Sequence, residues 1–74
     1  MLNELKKLLN EDVVVRISVS NDNIILKSTI NGKLKHLYDQ TYYVENEGSV
    51  VYLNPNDGGT LDINKNYIRL TITL

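Results

Sequence analysis

The chain has no cysteine, no tryptophan, no phenylalanine and a single proline. Without Cys there is no disulfide and no thiolate metal site to staple the fold, so stability must come from packing. The same absence fits a reducing cytoplasm, which is the expected location. Long apolar runs are missing as well: nothing approaches the roughly 20 consecutive residues of a membrane helix. The first ten residues interleave Leu with Glu and Lys, so they lack the apolar centre of a signal peptide. No Asn-x-Ser/Thr acceptor occurs. Alanine is absent while asparagine, isoleucine and lysine are abundant. Such a composition is what an AT-rich genome encodes, and it points towards low-GC bacteria and their phages or plasmids.

An excess of charge is also lacking. The net charge is −1, which disfavours a general nucleic-acid binder. The balance is local rather than uniform. Residues 37–64 contain no Lys or Arg but carry Asp39, Glu45, Glu47, Asp57 and Asp62. Lys27, Lys33, Lys35 and His36 precede them.

What remains is 74 residues rich in Leu, Ile, Val and Tyr, enough for one domain spanning 1–74. A chain of this size buries only about 60–65% of its unfolded surface. Leu2, Leu5, Leu8 and Leu9 recur at helical spacing and predict a short amphipathic helix that ends near Asn10, with Asn3 as a cap. Val13, Val15, Ile17 and Val19 alternate with polar residues and predict a strand with one apolar face. Ile24–Ile30 reads as the next strand. Asn31-Gly32 then predicts a type I′ hairpin into Lys33–Tyr38, because both residues tolerate positive φ. That third strand reaches as far as Val44, with a break at Asp39-Gln40, and puts Leu34, His36, Tyr38, Tyr42 and Val44 on one face. Val50–Leu53 is apolar on both faces, which predicts a covered strand. Leu61 and Ile63 suggest a short extended piece, and Tyr67–Leu74 alternates strictly. The expected fold is α+β: a short N-terminal helix packed on a small, mostly antiparallel sheet of about five strands, as a meander or partly open barrel.

Enzyme chemistry finds little support. His36 is the only histidine, and strand parity separates it from Asp39. Glu45 and Glu47 sit in a turn with no sugar-sized cleft between them. The segment Asn54–Asp62 imitates a calcium loop only in part, since Gly58 and Lys65 occupy ligand positions. No cofactor and no metal are expected. The five tyrosines favour a binding role, because Tyr offers large contact area with a polar tip. Tyr38, Tyr42 and Tyr52 are assigned to the core and Tyr43 to the surface.

The leading expectation is therefore a non-catalytic protein-binding module. It would use Asp39, Tyr43, Glu45, Glu47, Asp57 and Asp62 as an acidic, tyrosine-bearing surface that blocks a basic site on a partner, in the style of a phage- or mobile-element-encoded inhibitor. Two alternatives stand beside it. One is a homo-oligomeric assembly protein pairing through edges at Val13–Val19 and Tyr67–Leu74. The other is a weak nucleic-acid binder through a Lys27/Lys33/Lys35 ridge. Monomer and homodimer are both compatible with the sequence.

Overall fold

A computed structural model describes residues 2–56 and 59–74, with the side chain of Leu2 outside that description. Helix α1 (Leu2–Lys7) is followed by β1 (Asp12–Ser20), β2 (Ile25–Tyr38), β3 (Thr41–Asn46), β4 (Ser49–Leu53), β5 (Thr60–Asn64) and β6 (Tyr67–Thr73). The strands form one six-stranded sheet in the order β4-β3-β2-β1-β6-β5. The extended piece at Leu61 and Ile63 is thus a strand of its own.

Strand β2 departs most from expectation. Asn31-Gly32 is no hairpin turn: the strand runs unbroken through it, with Val14 opposite Asn31 and Val13 opposite Gly32. The glycine serves close approach instead of positive φ. A Cβ placed there would lie 2.9 Å from the Glu45 carbonyl oxygen and 3.0 Å from Val44 Cγ1. At this point β2 changes partners, pairing with β1 up to Lys33 and with β3 from Leu34. The hairpin turns lie elsewhere. Asn21 Oδ1 accepts from the N–H groups of Asn23 and Ile24, at 2.8 Å each, and closes the β1–β2 turn. Asp39 (φ 48°) opens the β2–β3 turn, and Glu47 (φ 49°) with Gly48 (φ 85°) forms the β3–β4 turn. The last pair has the two positive φ values of a type I′ turn.

The second departure is topological. Strand β6 pairs with β1 in parallel, Val15 beside Ile68 and Ile17 beside Leu70, so the sheet is no simple meander. Strands β1 and β6 are consequently interior, not edges; the edges are β4 and β5. The covered strand expected at Val50–Leu53 is the edge strand β4, and Val50 and Tyr52 stand exposed on it. Only six residues separate β4 from β5, and they reach at most about 25 Å. A flat sheet of six strands would be about 24 Å wide. The sheet curls: Ile17 of β1 and Val51 of β4, three strands apart in the order, line one cleft, and Leu53 of β4 shares a core cluster with Leu61 of β5.

That core consists of Leu5, Val13, Val15, Ile30, Leu34, Tyr42, Val44, Val51, Leu53, Leu61 and Ile68, and no buried polar residue stands among the described residues. The helix contributes Leu5 fully, and Leu8, just past its end, packs on the core in part. It is shorter than the leucine spacing suggests, and Asn3 lies inside it rather than capping it. Leu9 leaves the helix to form a parallel bridge with Leu34, and Asn10 turns the chain with φ 67°. Tyr42 is buried as expected, whereas Tyr38 (61% exposed) and Tyr52 (58%) are not core residues.

Candidate binding surface

The reactive residues are dispersed. His36 Nε2–H donates to the Asp39 backbone carbonyl, 2.8 Å away, and its ring packs on Tyr42 at a centroid distance of 5.1 Å. The imidazole is tied to a turn and a core aromatic ring. Among the described residues, no group of three or more His, Asp or Glu side chains could hold a metal ion. No helix is long and apolar enough to cross a membrane.

The acidic candidates do not assemble. Tyr43 and Glu45 share the outer face of β3, and Tyr43 meets Tyr52 of β4 at 6.5 Å between ring centroids. Glu47 follows in the β3–β4 turn. Asp39 is at the other end of β3, six residues from Glu45, or about 20 Å along the strand. Asp62 belongs to β5, the opposite edge of the sheet, beside Arg69. Asp57 lies outside the described residues. Lys27, Lys33 and Lys35 do share one face of β2, by parity along a continuous strand.

A different surface emerges from the curl. The inward faces of β2, β1 and β6 present successive cross-strand rows. The first is Ile30, Val15 and Ile68, all buried. The second is Ser28, Ile17 and Leu70, with Ile17 and Leu70 only partly covered. The third is Leu26, Val19 and Ile72; Val19 and Ile72 are half-buried, and Leu26 is 64% exposed. Beyond it stand Ile24 (54%) and Leu74 (79%), where the Leu74 N–H donates to Ser20 O at 2.8 Å. This apolar apron continues the core face after its cover has ended. The cause is a mismatch of lengths. Nine residues of β1 extend about 30 Å, whereas the six-residue helix spans about 9 Å.

Next to the apron opens a cleft of about 330 Å³ between the first half of β2 and the β3–β4 turn. Ile17, Ile30, Val50 and Val51 provide its apolar lining, and Asn31, Asn46 and Glu47 are among its polar residues. Asn46 Nδ2 donates to the Asn31 carbonyl at 2.7 Å and joins the two walls. Of the acidic candidates, Glu47 alone lines this cleft. Sequence reasoning assigned Val19 and Ile72 to buried strand faces and missed that these rows lie open. The signal was present in the unequal lengths of helix and strand.

Comparison with protein-family models, curated proteins and solved structures finds no match. The described residues form a small sheet-dominated fold, one six-stranded sheet with a very short helix.

Proposed function

We propose that this chain is a non-catalytic protein-binding module that receives an apolar segment of a partner protein on the apron formed by Ile17, Val19, Ile24, Leu26, Ile72 and Leu74. The observation that carries this reading is the open third row: a strand face of core character that the described residues cover only in part. Contiguous apolar surface of this kind marks interaction sites. The exposed fractions of Ile24, Leu26 and Leu74 add up to about two whole side chains, so burying them is worth roughly 3–6 kcal/mol. Association costs consume much of that, so useful affinity also requires the half-buried residues and the adjoining cleft. Glu47 on the cleft wall favours a partner with a basic residue flanking its apolar segment.

Leu26→Glu tests this reading. The side chain is exposed, so the fold should survive, while a charge in the centre of the apron should abolish complex formation. A partner captured by the wild-type chain and by Glu45→Lys, but not by Leu26→Glu, supports the apron. Capture insensitive to Leu26→Glu refutes it.

A second reading keeps the tyrosine surface. Tyr43, Tyr52, Leu37 and Glu45 lie on the outer face of β2–β4, and Tyr52 and Leu37 are exposed. Loss of capture in Glu45→Lys with retention in Leu26→Glu favours that surface and the acidic mode of blocking a basic site, including the inhibitor role expected from the sequence.

A further inference from the structure

The reverse side of the apron strands carries a second feature, independent of the apron. Arg16 of β1, Lys27 of β2 and Arg69 of β6 line one shallow depression of about 250 Å³ together with Ser18 and Thr71. Register places Arg16 directly beside Arg69, and Ser18 between Lys27 and Thr71. The two guanidinium side chains thus leave the backbone one strand spacing apart, about 4.8 Å. Lys27 lies on the diagonal, about 7–8 Å away. No carboxylate lines the depression. Asp62 is the register neighbour of Arg69, yet the two form no ion pair. Arg16, Lys27 and Arg69 have neither an ion pair nor a hydrogen-bond partner among the described residues.

Like charges side by side on a ladder destabilise a sheet. This chain places such a pair in the parallel β1–β6 ladder, where either arginine could be a threonine at no cost to the alternation. Two planar guanidinium groups, an ammonium and two hydroxyls are the donor set that takes a tetrahedral oxyanion.

We propose that this depression is a phosphate-binding site whose ligand is a compact phosphate monoester. The neighbouring lysines argue against a longer polyanion. Lys33 Nζ is 3.9 Å from Asp12 Oδ1, and Lys35 Nζ donates to Asn10 Oδ1 at 3.3 Å. Lys33 stands six residues along β2 from Lys27, about 20 Å, so the cluster of Arg16, Lys27 and Arg69 is confined to one phosphate-sized site and is not part of a continuous track for a nucleic-acid strand.

The test is a titration of the full chain with inorganic phosphate, followed by amide and arginine side-chain NMR shifts, with sodium chloride at matched ionic strength as reference. Expected are saturable shifts centred on Arg16, Ser18, Lys27, Arg69 and Thr71. Arg16→Gln and Arg69→Gln should each weaken binding about tenfold or more. Arg69→Thr should melt at a higher temperature than the wild type without phosphate and gain less from its addition. Should Arg16→Gln fail to fold, Lys27→Gln, at an exposed site, serves instead. Leu26→Glu should leave phosphate binding unchanged, which separates this site from the apron. No shift at phosphate concentrations on the order of 10 mM, shifts equal to those in chloride, or binding that survives in Arg16→Gln/Arg69→Gln would overturn the proposal. So would binding of an oligothymidylate without binding of phosphate.

Discussion

Replacing Gly32 with alanine tests the central claim about the fold, that β2 passes straight through Asn31-Gly32. A methyl group there meets the Glu45 carbonyl oxygen at 2.9 Å and Val44 Cγ1 at 3.0 Å. The first is backbone of a paired strand and the second belongs to a fully buried residue, so neither yields without moving β3. Overpacking of this kind costs about 1–3 kcal/mol. A domain of 74 residues has a total stability of roughly 4–11 kcal/mol. The loss is therefore a large share, equivalent to a Tm lower by roughly 5–20 °C. Urea unfolding followed by circular dichroism measures it as a lower midpoint with unchanged slope. Asn31→Thr is the paired control. Asn31 is exposed and its extended backbone suits a β-branched residue, so the change should fall within about 0.5 kcal/mol or stabilise. At a type I′ position the same substitution would force positive φ on threonine and cost about 1–2 kcal/mol. A harmless Gly32→Ala, or an Asn31→Thr as damaging as Gly32→Ala, would refute the continuous strand.

Three further outcomes follow from the packing. Leu34 is fully buried at the point where β2 changes partners, so Leu34→Ala should cost about 2–5 kcal/mol and leave a weak or absent folded baseline in thermal melts. Glu47→Asn should raise stability by about 0.5–1 kcal/mol in urea titrations, because Glu47 has φ 49° ahead of Gly48 at 85° and Asn-Gly is the better type I′ pair. Leu26→Glu should change stability by less than about 1 kcal/mol, since the side chain is 64% exposed; it should also reduce binding of a hydrophobic dye such as ANS, a measurement independent of any partner.

Much of the fold was legible from alternation. Val13, Val15, Ile17 and Val19 share a face, Ile68 and Leu70 share another, and Tyr42 and Val44 point inward. These assignments depend on period two alone. The failures occurred where local chemistry and tertiary approach compete. Asn-Gly is the strongest short-range turn signal, but Gly32 is needed for the close approach of the Glu45 backbone, thirteen residues ahead in sequence. Strand order was illegible because the parallel β1–β6 ladder joins segments about fifty residues apart, which no local pattern encodes. The acidic run from Asp39 to Asp62 was plain in the sequence, but Asp39, Glu45 and Glu47 fall towards the two ends of β3 and Asp62 on the far edge. The cluster of Arg16, Lys27 and Arg69 was hidden for the converse reason: its members come from three distant segments.

The parallel ladder also bears on how the chain comes into being. The slot next to β1 stays vacant until β6 has been synthesised, so neither the N-terminal hairpin nor the four-strand half ending at β4 has its full complement of partners before then. Completion of the sheet on the ribosome is thus deferred until β6 is made, and in the interval the unpaired backbone edge of β1 beside Val15, Ile17 and Val19 is open to chaperones or to a second nascent chain.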